Sequence, residues 1–179
     1  MIRLEGRARR FGDNVNTDYI ITSARKRDTI DEQVLKQWLL ETLDPAFAAS
    51  VREGDMIVAG ENFGCGSAME VAVTVILAAG IKAVIAQSFS RTFYRNAINN
   101  GLIPVQCDTS RFEEGDRLSV QLDGAELSVA NYTRELTLSG PPISGVMLDI
   151  LEHGGLVPYI RLFVKECGKG SLSKGGRLF

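Results

Sequence analysis

The residues with the most capacity for chemistry lie in the run Gly60-Glu61-Asn62-Phe63-Gly64-Cys65-Gly66-Ser67-Ala68-Met69-Glu70. It follows the apolar stretch Met56 to Ala59 and leads into the amphipathic segment Met69 to Ala79. A glycine-rich turn between a strand and a helix brings backbone N–H groups close to a bound group, and the positive helix end favours an anion. The Ser67 hydroxyl follows the last glycine, within reach of the same anion. The spacing Ser67-x-x-Glu70 also spells a capping box, in which each side chain satisfies the other's backbone N–H. Gly64 and Gly66 favour a ligand over a cap, because they remove side chains from beside the hydroxyl. The run is no Walker P-loop, since the lysine before Ser/Thr is missing. It is no dinucleotide fingerprint either, since the third glycine is absent.

Two further segments bear on this turn. Gly12-Asp13-Asn14-Val15-Asn16-Thr17-Asp18 is dense in short side chains that bond the backbone locally, so it reads as a rigid turn or as a loop pre-organised beside a site. Arg25-Lys26-Arg27-Asp28 is the sharpest cluster of positive charge. It is either a solvated loop or, lying over the glycine turn, a grip for carboxylates. Cys65 reads as a packed small hydrophobe and the pair Phe93 and Tyr94 as core. His153, the sole histidine, precedes Gly154-Gly155, which suits a helix C-terminus more than a catalytic triad.

The elements that must position these residues follow from periodicity. Residues 2–11 alternate as a half-buried strand, and Tyr19-Ile20-Ile21 is a short apolar run before a polar, basic loop over Thr22 to Thr29. Asp31 to Leu43 is predicted as a helix ended by Asp44-Pro45, with Val34 and Trp38, joined by Leu35 and Leu39, in its apolar stripe. Residues 56–105 read β-α-β-α-β, the pattern of a parallel sheet with crossover helices. Gly80 and Asn100-Gly101 stop the two helices, and Ser88 or Ser90 caps the second. Leu118-Val120-Leu122 and Leu127-Val129 flank the Asp123-Gly124 turn of a hairpin, and β character continues from Tyr132 to Leu138. Ser144 is predicted to cap a helix through Glu152 with Met147, Ile150 and Leu151 inward, and Leu156 to Val164 a final apolar strand. The fold class is α/β with a substantial antiparallel part: one domain over residues 1–167 and a loose glycine-rich tail over 168–179.

Composition narrows the function classes. The chain has 179 residues, 45% of them apolar, enough for a core, and a net charge of −2 draws it neither to nucleic acid nor to acidic membranes. No apolar stretch approaches the roughly 20 residues a membrane span needs. The start Met1-Ile2-Arg3-Leu4-Glu5 meets charge too early for a secretory signal, so a cytoplasmic location is expected. Cys65, Cys107 and Cys167 are far apart in sequence, making neither a disulfide framework nor a metal-ligand set by themselves.

Taken together, Gly12 to Ile20, Gly60 to Ser67 and Ala83 to Pro104 resemble the small subunit of 3-isopropylmalate dehydratase, the swivel domain of the aconitase superfamily. The resemblance runs from residue 2 to about 165 and excludes the tail. It implies a swivelling β/β/α domain that is inactive alone. It also implies a separately encoded large subunit holding a [4Fe–4S] cluster, none being bound by this chain. The implied enzyme is a hydro-lyase that takes water from a hydroxy acid and returns it, with the open iron acting as a Lewis acid on the hydroxyl. Ser67 matches the family's base, and Gly66, Ala68 and Met69 line the implied substrate site.

One departure matters. Where the family reads Ser-Ser-Arg-Glu, this chain reads Ser67-Ala68-Met69-Glu70, without the arginine that binds substrate carboxylate. The basic cluster falls at the family's specificity loop, so Arg25 or Arg27 is the candidate replacement. Three functions stay open. The first is isomerisation of 3-isopropylmalate and 2-isopropylmalate in leucine biosynthesis. The second is the same chemistry on 2,3-dimethylmalate, citraconate or maleate, or homoaconitate. The third is a non-catalytic regulatory subunit. The isolated chain's own oligomeric state is open too.

Overall fold

A computed structural model describes residues 1–168 of the chain. The expected tail lies outside the described residues except for Gly168, which ends a helix. Strand β1 (Ile2–Arg10) holds the two halves of the fold together. Its first part, Ile2 to Arg7, pairs antiparallel with β5 (Arg117–Asp123). Its last three residues, Ala8 to Arg10, pair parallel with β2 (Met56–Ala59). Beyond β2 come β3 (Ala83–Ala86) and β4 (Ile103–Gln106), both parallel. Beyond β5 come β6 (Glu126–Asn131) and β7 (Leu136–Ser139), both antiparallel. The order across this mixed seven-stranded sheet is β4-β3-β2-β1-β5-β6-β7.

Every residue of β2 and β3 is buried, as strands covered on both faces require. On one face Ile57, Ala59, Val84 and Ala86 pack against α5 (Val71–Ala78) and against Leu35, Leu39 and Leu40. On the other, Val58, Ile85 and Val105 share a core with Leu118, Val120 and Val129, so the antiparallel part curls across the parallel one. The helix α6 (Arg91–Asn99) contributes Phe93 and Ala97 to the first core and Ile98 to the second. The predicted β-α-β-α-β over 56–105 is therefore present, with Gly80 and Gly101 at positive φ behind its helices and Ser90 capping α6.

Several expectations are corrected. The segment 22–29 is not a loop: α2 (Ser23–Asp28) follows the short α1 (Thr17–Ile20), and the Thr22 hydroxyl caps it. The long helix over 31–43 is broken into α3 (Glu32–Leu35) and a single 3₁₀ turn, Lys36–Trp38. Leu35, Leu39 and Leu40 are all fully buried, and the helix cannot continue because Leu40 turns to φ 58° and gives its N–H to the Ile20 carbonyl. After the single-turn α4 (Phe47–Ser50), the next difference comes near the end. There α7 (Val146–Glu152) starts from Gly145 without a side-chain cap, so Ser144 does not cap it. Ile150 and Leu151 are buried, but Met147 is exposed.

The last strand is instead α8 (Leu156–Gly168). Pro158 sits in the first turn of this helix. A proline in the first helical turn removes an N–H that has no intrahelical partner anyway. His153 ends α7, its ring nitrogen Nδ1 2.6 Å from the Asp149 carbonyl oxygen, as the helix-terminus reading required. Between Tyr132 and Glu135 the chain turns rather than extending, with Glu135 at φ 51°.

Asp116 secures the junction of the antiparallel part. Burial pushes its carboxyl up, but three donors together outweigh burial and hold it below its ordinary value. They are Asn131 Nδ2 at 2.7 Å, the Glu113 N–H at 2.9 Å and Arg134 Nε at 3.3 Å. A depressed carboxylate adds stability above its unfolded value and loses it as pH falls through its folded value. Asp116→Asn is therefore expected to cost about 1.5–3 kcal/mol near pH 7. The gap to the native chain should close in urea titrations below about pH 4. A gap independent of pH would assign the loss to hydrogen-bond geometry alone.

Candidate functional site

The carboxyl ends of β1, β2 and β3 emerge together, and the three loops that follow them interlock. Such an end is where open parallel sheets place their ligand sites. The middle loop is Gly60 to Glu70. From one side it is held by the Asx-rich turn. Gly60 donates to the Gly12 carbonyl at 3.1 Å, Gly64 to Val15 at 2.8 Å, and Thr17 to Cys65 at 2.8 Å. Asp13 and Asn14 add side-chain bonds to the Glu61 N–H and to Asn62. From the other side Phe63 donates to the Ser88 carbonyl, while Ser90 donates to Phe63. The Ser90 hydroxyl adds a bond to the Gly64 carbonyl at 2.6 Å. Isolated parallel bridges, Asn16 with Cys65 and Phe63 with Phe89, complete the clamp.

This clamp explains the glycines. Gly64 has φ +75°, and a Cβ there would fall into the buried Phe93 side chain. Gly66 has φ +97°, and a Cβ there would strike the Asn16 side chain. Beneath them Phe63, Phe89 and Phe93 form an aromatic base, with Phe63 edge-on to Phe93 at 5.0 Å. The glycines thus serve the loop's own packing.

Ser67 is presented by this clamp. Its carbonyl accepts a bond from the Thr17 hydroxyl at 3.0 Å, which fixes the backbone. Its own hydroxyl is exposed and makes no hydrogen bond among the described residues. The capping-box reading fails: α5 begins at Val71, its N-cap is Glu70, and no side chain caps it. Gly66 and Ala68 are exposed beside Ser67, and Met69 is half-buried against the first core.

The basic cluster divides because it is helical. The Arg25 guanidinium meets both Glu41 carboxylate oxygens at 3.0 Å and lies 4.6 Å over the Trp38 ring. The Glu41 hydrogen bond holds its pKa above the ordinary arginine value. Arg27 faces solvent. Lys26, the middle residue of the cluster and not one of the two expected to bind, reaches the loop: its Nζ contacts Met69 Sδ and lies 3.7 Å from Asp18 Oδ1. A hollow of about 550 Å³ beside the loop is lined by Lys26, Glu32 and Glu70 among others, and Ser67 is not on its wall.

Residues 7–110 match the aconitase C-terminal domain. The chain belongs to that family. It is 46% identical to the methanogen homoaconitase small subunit of Methanocaldococcus jannaschii, covering 88% of this chain and 91% of the relative. It is 42% identical to the 3-isopropylmalate dehydratase small subunit of Halothermothrix orenii, covering 92% and 99%. A crystal structure of a 3-isopropylmalate dehydratase from M. jannaschii superposes with a TM-score of 0.87 at 44% identity, covering 94% of this chain and all of that one. The enzyme class of this family member is that of the hydro-lyases.

Membership of this family suggests an iron–sulfur cluster in the enzyme, and the ligand set here can be tested for it. Among the described residues, no group of three His, Cys, Asp or Glu side chains is placed to hold a metal ion. Burial, and then the charge of Asp108, pushes the Cys107 thiol up to about 12, away from the thiolate that metal ligation needs. The described residues do not fit the group. No helix among them is long and apolar enough to cross a membrane.

Proposed function

We propose that this chain is the small subunit of a two-subunit hydro-lyase that removes water from a hydroxy di- or tricarboxylic acid and returns it. Ser67 is the base that takes and gives back the carbon-bound proton. The observation that carries this reading is the Ser67 hydroxyl, exposed and without a partner among the described residues, on a backbone clamped from both sides at the ends of three parallel strands. A serine acts as a base only in enclosed, donor-rich surroundings. Here the loop is open to solvent, so the site is completed by a large subunit closing over it, and that subunit carries the [4Fe–4S] cluster.

The leading substrate assignment is the 3-isopropylmalate/2-isopropylmalate pair of leucine biosynthesis, in the cytoplasm, supported by the names of relatives across the chain's length. The second assignment is homoaconitate, supported by the 46% identical relative and by the cation at the loop. The apolar Met69 also suits a methylated acid such as dimethylmalate or citraconate. Anaerobic reconstitution with the cognate large subunit tests the reading. Hydration assays should cover isopropylmaleate, citraconate, maleate, dimethylmaleate and homoaconitate. Turnover of one acid is expected. A stable complex with an intact cluster and no turnover of any acid would favour the non-catalytic alternative.

A further inference from the structure

The loop Gly60 to Glu70 carries two carboxylates, Glu61 and Glu70, and no lysine or arginine. An acid bound at Ser67 would therefore meet a loop of the wrong sign. A carboxylate bound away from bulk water needs a cation or several donors to offset its desolvation. Lys26 is the cation that the structure brings to this loop, from α2 across to Met69. Resting on the reading of Ser67 given above, we infer that Lys26 is the substrate-carboxylate-binding residue of this enzyme.

The geometry at Lys26 is that of an incompletely matched charge. Its side chain is 19% exposed, so much of its stem is out of water. The thioether of Met69 is only a weak acceptor and carries no charge to balance an ammonium. Among the described residues Asp18 is the carboxylate that comes within 4 Å of it: it is 3.7 Å away, 47% exposed, and already accepts from the Ser23 hydroxyl at 2.9 Å, while Glu32 and Glu70 share the adjoining hollow without an ion pair to Lys26. Arg25 is held by Glu41 and Trp38 on another side of α2, and Arg27 points to solvent. Lys26 thus retains donors for a ligand at the Ser67-Ala68-Met69 edge. Its reach across Met69 also sets specificity: one end of the acid meets an ammonium and the adjoining segment meets a thioether.

The experiment uses the reconstituted two-subunit enzyme, the acid it turns over, and tricarballylate as a competitive probe. Lys26→Met is expected to raise both KM and the tricarballylate inhibition constant about 10- to 50-fold while kcat changes less than about threefold. Lys26→Arg should stay within about fivefold of the native values, since the charge is kept. The pair Lys26→Met with Met69→Arg should regain at least about tenfold over Lys26→Met alone, because the cation returns by the other route. Asp18→Asn separates binding from anchoring: were Lys26 only a tether for Asp18, this variant would reproduce the loss, and the inference would fall. An unchanged KM in Lys26→Met, with turnover abolished by Ser67→Ala, would overturn the Lys26 assignment alone. Turnover that survives Ser67→Ala would overturn the site reading and the Lys26 assignment with it.

Discussion

Ser67→Ala is expected to lower kcat of the reconstituted enzyme by at least about 10³-fold, within the range for loss of a positioned base. Folding and assembly should be almost unaffected. The separation follows from three observations. The hydroxyl makes no hydrogen bond among the described residues, so its removal orphans no buried partner. The backbone is held through the Ser67 carbonyl, which an alanine retains for Thr17. Because α5 starts at Val71 with no side-chain cap, Ser67→Ala does not incur the usual capping loss of about 1 kcal/mol. Steady-state kinetics beside urea unfolding would read both sides. A fall in activity matched by a large fall in stability would mean that the hydroxyl is structural after all.

How much of this was legible beforehand depended on which physical rule governed each segment. The parallel core was readable because β2 and β3 are short runs of buried apolar residues, and the helices between them end at glycines with positive φ. The clamp's residues were readable as motifs, but not what they touch: that Asn14 meets Asn62, or Asn16 meets Gly66, is a contact across about 50 positions. The capping box was a true spacing in the wrong place, overridden because the clamp holds Ser67 in a bend and delays α5 until Val71. The apolar run after Leu156 matched a strand and a helix equally well, an ambiguity that periodicity cannot resolve over so few residues.

The basic cluster is the most instructive case. Read as a loop, Arg25, Lys26 and Arg27 are interchangeable, and the arginines are preferred for their bidentate grip on carboxylates. Read as α2, successive side chains point about 100° apart, so three neighbours face three surroundings. Arg25 lands on Trp38 and Glu41, Arg27 on solvent, and Lys26 on the glycine loop. A six-residue helix, capped by the Thr22 hydroxyl where a loop was expected, decides which cation reaches the glycine loop.

Gly64→Ala is expected to destabilise the chain by about 3–5 kcal/mol and to abolish turnover with it. Two costs add. An L-residue at φ +75° is strained by about 1–2 kcal/mol. The new Cβ also collides with the Cβ and ring of Phe93, a buried residue of α6 that packs edge-on against Phe63. Gly115→Ala separates the terms, because Gly115 has φ +81° but open space where its Cβ would go. That variant should lose only the strain, about 1–2 kcal/mol. Urea midpoints of the two variants compared with the native chain would measure the difference. Equal losses would mean that Phe93 yields to the new methyl group. A much larger loss at Gly64 would establish that this glycine is fixed by the ring beneath it. Ser67 then owes its position to that aromatic base: the packing that demands Gly64 is also the packing that fixes the loop on which Ser67 stands.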